Sequence, residues 1–161
     1  MPEPPPTLIS LLTYWSGLAG GKPPERSLID PGAIKPLLPY LMLVEFEDDP
    51  FRVRYRLSGT RIDDWNGSAL TGQYVHDLVA LDATGAMTHV EDCYRHCWRT
   101  GEPKIDSYQW PSRGGYMLRV WFGLFPLRLD GVVRQCLAIE DFSAFPDRSE
   151  SFARPEPISQ S

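Results

Sequence analysis

A short alternating stretch, RVRYRL at residues 52–57, constrains the fold more than any other feature of the sequence. Three apolar residues alternate there with three arginines, which is the period-two pattern of a strand with one buried face. Gly59 ends the alternation, and Thr60 as N-cap with Gly67 as C-terminal stop predicts a short helix. The chain therefore has to change from sheet to helix within a few residues, as mixed α and β domains do.

The segment LMLVEFE at residues 41–47 predicts a strand that precedes this stretch, and the acidic turn at 48–51 predicts an antiparallel hairpin. The register places Glu45 opposite Arg54 and Glu47 opposite Arg52. Arg56 is then left without a carboxylate neighbour and is free for another role. The arginine row could hold an anion, but cross-strand ion pairing is favoured because it uses the same residues without a ligand.

Two longer segments show helical periodicity. Residues 7–19 predict an amphipathic helix that ends at Gly20 and Gly21, with an apolar stripe formed by Leu8, Leu11, Leu12, Trp15 and Leu18. Residues 80–99 predict the longest helix of the chain, with a buried stripe formed by Met87, Val90, Cys93, Tyr94, Cys97 and Trp98.

The last third of the chain predicts three strands. Residues 103–110 predict one strand, and residues 116–127 and 132–141 predict a hairpin around Asp130-Gly131. Centring the hairpin there predicts a core face of Leu118, Val120, Phe122, Leu124, Leu137 and Ile139. The opposite face then receives Arg119, Trp121, Gly123, Phe125, Cys136, Ala138 and Glu140, which is too apolar for a bare surface.

The order of these elements predicts an α+β fold. A helix, two strands, short helices, one long helix and three strands suit a five-stranded antiparallel sheet with helices packed on one face, plus an N-terminal amphipathic helix. That N-terminal helix is expected to cover the apolar second face, either on its own sheet or on that of a partner.

Several short motifs together resemble PAS domains, and in particular the short single-domain PAS proteins of alphaproteobacteria. The resemblance covers about residues 10 to 142 and rests on TYW at 13–15, Pro24, Ile29-Asp30-Pro31, Leu38-Pro39, Arg56 with Gly59-Thr60, and Leu70-Thr71-Gly72. It implies a PAS-like fold, in which the strand at 103–110 lies at a sheet edge. It also implies a stand-alone sensory or regulatory module of signal transduction, acting through ligand sensing or protein–protein interaction. It also implies a non-enzymatic role, a homodimer and a signalling partner.

The expected domain organisation is a disordered tail at 1–6, a helical cap and linker at 7–39, the PAS domain at 40–142 and a second disordered tail at 143–161. The chain has 16 prolines, several of them near its ends, and proline-rich ends seldom pack.

The net charge of −5 disfavours nucleic acid and anionic membranes as partners. The absence of a long apolar run or signal sequence predicts a soluble, cytoplasmic protein, in which three cysteines stay reduced.

The candidate chemistry of the sequence is limited. His89, Cys93, His96 and Cys97 lie on one helix and suggest metal, but one helix offers few ligands to one ion, so packing is favoured and no metal is predicted. No cofactor is strongly indicated. A haem or other planar cofactor between the long helix and the sheet is the alternative that the PAS resemblance leaves open. A small α+β enzyme, with Asp106 or Asp141 in a cavity, is less favoured.

Two sets of residues are the candidate sites, and no catalytic residue is proposed. A small-molecule pocket is expected among Tyr55, Trp65, Val90, Cys93, Tyr94, Cys97, Phe122, Leu124 and Ile139. A dimer or partner interface is expected among Leu8, Leu11, Leu12, Trp15, Trp121 and Phe125.

Overall fold

The computed structural model describes residues 2–112 and 114–144, and within them five antiparallel strands form one sheet in the order β2-β1-β5-β4-β3. The strands are β1 (Leu41–Glu47), β2 (Arg52–Ser58), β3 (Lys104–Pro111), β4 (Met117–Leu129) and β5 (Val132–Asp141). The strand formed by residues 103–110 was expected at a sheet edge, and β3 lies there. The predicted α+β fold with a five-stranded antiparallel sheet is confirmed.

The helices flank the sheet on both sides. They are α1 (Pro6–Leu18), α2 (Thr60–Asn66), α3 (Val75–Leu81) and α4 (Ala86–Thr100), and two 3₁₀ segments, Arg26–Leu28 and Pro31–Tyr40, connect α1 to β1. Gly67 adopts a left-handed conformation and ends α2, as the sequence predicts. Gly59, rather than Thr60, is the N-cap of that helix.

Two apolar clusters lie on opposite faces of the sheet. The helix-side cluster joins α2, α3 and α4 to one face and includes Val44, Tyr55, Trp65, Tyr94, Val120, Phe122 and Leu124. The N-terminal cluster joins α1 and the following 3₁₀ segment to the other face and includes Leu8, Leu11, Trp15, Ile34, Phe125, Leu137 and Ile139. Each residue that these clusters bury fully contributes roughly 1.5–3 kcal/mol of hydrophobic stabilisation.

Helix α1 covers the second face of the sheet of its own chain. The Trp15 indole N–H donates to the backbone carbonyl of Pro126 at 2.8 Å, and its ring lies 6.2 Å from that of Phe125, centre to centre. At the other end of the helix, Thr7 Oγ1 donates to Asp141 Oδ2 at 2.6 Å. Of the two alternatives for this helix, packing on its own sheet or on that of a partner, the structure shows the first, because the chain buries the apolar stripe itself.

The hairpin of β1 and β2 has the predicted register in the half next to the turn, where Glu45 pairs with Arg54 and Glu47 with Arg52. A bulge between Leu43 and Val44 shifts the pairing register in the half away from the turn. A bulge adds one residue to one strand and so reverses which face the following side chains occupy. Two predictions are wrong for this reason. Arg56 is not free, since its Nη1 lies 2.7 Å from Glu45 Oε1. Leu57 is 56% exposed instead of buried.

The hairpin of β4 and β5 turns at the predicted residues but loses the predicted register. Asp130 and Gly131 have positive φ values of 52° and 81°, as the two-residue turn requires. A register shift between Leu127 and Arg128 then moves every following residue of β5 to the other face. Leu137 and Ile139 consequently lie in the N-terminal cluster, whereas Cys136 and Ala138 lie in the helix-side cluster. The predicted faces of these residues are wrong.

The predicted helix at 80–99 is shorter at its start, because Asp82 interrupts it. Asp82 Oδ1 accepts from the backbone N–H of Thr84 and Oδ2 from that of Met87, both at 2.8 Å. These bonds replace the ones that a continuous helix would make. Helix α3 therefore ends at Leu81 and α4 begins at Ala86.

The predicted tails stay predictions. Residues 145–161, most of the expected tail at 143–161, lie outside the described residues, as does Met1. Helix α1 begins at Pro6, inside the segment that was expected to be a tail. None of the helices in the described part of the chain is both long enough and apolar enough to cross a membrane.

Candidate functional site

The candidate pocket residues lie where α4 packs on the sheet. Helical periodicity turns Val90, Cys93, Tyr94 and Cys97 toward the strands, and each is less than 5% exposed. They meet the remaining candidates of the helix-side cluster, Tyr55, Trp65, Phe122 and Leu124. Ile139 is the exception, because the bulge in the β4–β5 hairpin places it on the opposite face of the sheet. It cannot line a pocket with the others.

This interior contains polar groups as well as apolar ones. Burial raises the pKa of the Tyr94 hydroxyl well above its ordinary value, and Tyr55 and Cys136 nearby raise it further. Burial, followed by a hydrogen bond with Cys97, also raises the pKa of the Cys136 thiol. The Cys136 thiol and the Tyr94 hydroxyl are therefore neutral at physiological pH. The region combines apolar walls with neutral hydrogen-bonding groups, which suits the recognition of a small molecule.

Strand β5 adds a buried carboxyl group to the same region. Glu140 is 4% exposed, and its Oε1 accepts a 3.2 Å hydrogen bond from the hydroxyl of Tyr108 on β3. The pocket that the sequence predicts does not include Tyr108, Cys136 or Glu140. Alternation along β5 assigns Cys136 and Glu140 to the wrong face, and only the bulge brings them under α4.

A second group of side chains, one that could bind a metal ion, lies where α4 meets β3. His89 Nε2 lies 3.0 Å from Asp106 Oδ2 and 3.9 Å from Cys93 Sγ. One atom from each of the three residues lies within 4.8 Å of the other two. His96 and Cys97, the other candidates on this helix, do not join the group: His96 Nε2 lies 3.6 Å from Glu102 Oε2, and Cys97 is buried in the core.

The two candidate carboxylates for an enzymatic site are held by local contacts. Asp141 accepts hydrogen bonds from Thr7 Oγ1 and from the backbone N–H of Ser143. Asp106 contacts His89 and accepts from the backbone N–H of Ser107. These contacts account for both side chains without a catalytic role.

The candidate interface residues are covered within the chain. Leu8, Leu11, Trp15 and Phe125 are each at most 1% exposed, because α1 lies directly on β4 and β5. Leu12 and Trp121 are half-buried at the margin of the same cluster. The apolar stripe of α1 is therefore occupied within its own chain.

Two of the three arginines on β2 are paired with carboxylates of β1. Arg54 and Arg56 both contact Glu45, with N–O distances of 2.5 and 2.7 Å. Burial alone would raise the pKa of Glu45, but the hydrogen bonds from these two arginines outweigh it and lower the pKa below 4.5. Arg52 lies over the ring of Tyr74 at 5.9 Å. The geometry favours cross-strand pairing over an anion site.

The chain also matches a known protein family. A family model described as PAS domain matches residues 4–132. No curated protein matches the chain.

Solved structures similar to the chain share little sequence with it. The N-terminal domain of a diguanylate cyclase with a PAS/PAC sensor from Marinobacter aquaeolei is 13% identical, with a TM-score of 0.47 over 66% of this chain and 97% of that chain. A light-oxygen-voltage domain studied with a flavin analogue is also 13% identical, with a TM-score of 0.49 over 68% and 81%. The PAS domain of an HTR-like protein from Haloarcula marismortui is 16% identical, with a TM-score of 0.43 over 68% and 88%.

Proposed function

The chain belongs to the PAS domain family, and from this premise we propose that it is a regulatory module of signal transduction that senses a small molecule and acts through protein–protein contacts. The sensing site in this proposal is the region between α4 and the sheet. A role without catalysis is part of the proposal. The family membership supports signal sensing in general, and the arrangement of the interior supports the choice of site.

The observation that carries the proposal is the group of polar side chains buried beneath α4. Tyr94, Cys97 and Cys136 are at most 1% exposed, and Glu140 is 4% exposed. Cys136 and Cys97 hydrogen-bond to each other, and Glu140 accepts from Tyr108. Replacing both partners of such a pair by apolar residues is often nearly neutral for stability, so stability alone does not require them. Hydrogen bonding to a small ligand would explain why polar groups occupy these positions.

The output of the module is proposed to be a change in contacts with a second copy of the chain and with a signalling protein. The outer strand β2 offers a surface for such contacts, because it lies at a sheet edge and its Leu57 is 56% exposed. Edge strands pair readily with other chains. The middle of this edge is partly covered, since Tyr55 exchanges backbone hydrogen bonds with Gly72 and Gln73.

Native mass spectrometry of the purified chain tests both parts of the proposal. We expect the mass of a dimer and an additional mass from a retained small molecule. Replacing Glu140 by Gln and Tyr94 by Phe should lower the retained fraction and leave the dimer intact. His96→Gln, on the exposed side of α4, is the matched control and should change neither.

Two results would contradict the proposal. A chain that is monomeric at all concentrations would remove the homodimer, and retention that the interior variants do not change would remove the site beneath α4. An absorbance spectrum of the same sample addresses the haem alternative, because a bound haem would give a strong visible band.

A further inference from the structure

The group formed by His89, Cys93 and Asp106 carries a role that family membership does not assign. His89 and Cys93 are four residues apart on α4 and so lie on one side of the helix, one turn from each other. Asp106 comes from β3, the edge strand beside that helix. The sequence pattern offers candidate ligands from one helix only, and therefore predicts no metal. The third ligand becomes visible only when β3 packs beside α4.

The geometry of the three side chains excludes a nucleophilic relay. Both short distances involve the same imidazole nitrogen, since His89 Nε2 lies 3.0 Å from Asp106 Oδ2 and 3.9 Å from Cys93 Sγ. A catalytic cysteine–histidine–aspartate set needs one ring nitrogen for the thiol and the other for the carboxylate. Three atoms that converge on one point instead suit chelation.

The donor atoms are also held in position. Asp106 Oδ1 accepts a 2.8 Å hydrogen bond from the backbone N–H of Ser107, which leaves Oδ2 directed at His89. The His89 ring lies edge-on to Phe122 with centroids 6.0 Å apart. Neighbours that orient the ligands in this way are typical of metal sites.

We propose that His89 Nε2, Cys93 Sγ and Asp106 Oδ2 bind one divalent metal ion of the zinc class. Zinc binds nitrogen, thiolate and carboxylate oxygen at about 2.0–2.3 Å, so tetrahedral donors lie roughly 3.3–3.8 Å apart. The two distances from Nε2, 3.0 and 3.9 Å, bracket that range. The side chains of His89 and Asp106 are 45% and 35% exposed, so water can take the fourth position.

Binding requires one proton to leave and involves no change of oxidation state. The Cys93 thiol releases its proton to solvent as the sulfur–metal bond forms, and the imidazole enters with Nε2 unprotonated. Burial and then the Asp106 carboxylate raise the pKa of this thiol, whereas Lys104 lowers it. A cation between the carboxylate and the sulfur would cancel the repulsion from Asp106 and favour the thiolate.

The test is a metal titration of the full chain after treatment with a chelator. Zinc should bind with a stoichiometry of one per chain, and cobalt in its place should give a thiolate-to-cobalt charge-transfer band. Cys93→Ser should abolish that band, and His89→Gln and Asp106→Asn should each weaken zinc binding by at least about tenfold. His96→Gln is the matched control. His96 lies on the same helix and beside a carboxylate, that of Glu102, but no thiol converges on it, so this variant should bind zinc normally.

Either of two outcomes would overturn the proposal: no zinc bound at micromolar metal, or a cobalt spectrum that is the same in Cys93→Ser. Circular dichroism would establish that each variant is folded. Should Cys93→Ser fail to fold, His89→Gln decides, since its side chain is half-exposed and its loss leaves the core intact. Failure of this proposal would leave the function proposed above untouched, because that function rests on the interior beneath α4.

Discussion

The indole N–H of Trp15 donates a 2.8 Å hydrogen bond to the backbone carbonyl of Pro126. This contact anchors α1 to β4 of the same chain. Proline has no backbone N–H, and Pro126 lies beyond Leu124, the last residue of β4 that pairs with β3. The missing donor therefore costs no pairing with β3. The amphipathic helix accordingly forms part of the core of one chain.

Replacing Trp15 by Phe should lower the free energy of unfolding by about 1–3 kcal/mol, since it leaves the Pro126 carbonyl buried without its donor. Urea denaturation measures the loss. Ile9→Ala, at a residue of the same helix that is 44% exposed, is the control and should cost much less. Equal losses in the two variants would show that the indole hydrogen bond contributes little to the free energy of unfolding. Gel filtration should show the same oligomeric state for both.

Gly59→Ala should be strongly destabilising. A Cβ at this position would lie 2.5 Å from the backbone oxygen of Leu38, and backbone atoms cannot move aside cheaply. We expect a loss of roughly 2–3 kcal/mol in the free energy of unfolding. Gly17→Ala is the matched control, because nothing lies within 4 Å of its added Cβ and the residue is helical. It should gain about 0.5–1 kcal/mol from helix propensity. Equal effects would argue against close packing at Gly59.

The contribution of Glu45 to stability should depend on pH. Burial opposes ionisation of this carboxyl, but hydrogen bonds from Arg54 and Arg56 lower its folded pKa below 4.5. A lowered pKa gives stability that is fully present above the unfolded pKa and is lost as the pH falls through the folded value. Because both arginines are more than a third exposed, we expect about 1 kcal/mol or less.

Comparing wild type with Glu45→Gln by urea denaturation checks this dependence. The difference should be constant from pH 7 down to about pH 5 and should shrink under more acidic conditions. Glu3→Gln, at an exposed position before α1, should show no such trend. A difference that grows on acidification would have the wrong sign and would refute the ion pair.

The cysteines should react slowly with thiol reagents in the folded protein. Burial, aided by Asp106, raises the pKa of Cys93 to about 11, so only a small fraction is thiolate at neutral pH. Cys97 and Cys136 are fully buried. Labelling in the presence of a chelator should be slow in buffer and complete in denaturant. Rapid labelling of Cys93 without denaturant would contradict its burial.

The sequence by itself determined the elements and the class of the fold. The alternation at 52–57 is local information about which face of a strand is buried, and the stripe containing Val90 and Tyr94 is the same kind of information for a helix. The turn at Asp130-Gly131 follows from the positive φ values that these two residues adopt. Such features depend on neighbours in the chain, so pattern and propensity suffice to predict them.

Only the tertiary structure decided which residues share a site. One bulge moved Ile139 out of the expected pocket and brought Glu140 in, because a shift of one residue exchanges the two faces of a strand. No periodicity predicts where such a bulge falls. The approach of Asp106 to His89 likewise depends on how β3 packs beside α4, since 17 residues separate them in sequence. Contacts between distant segments are set by the packing of whole elements, and a local pattern contains no record of them.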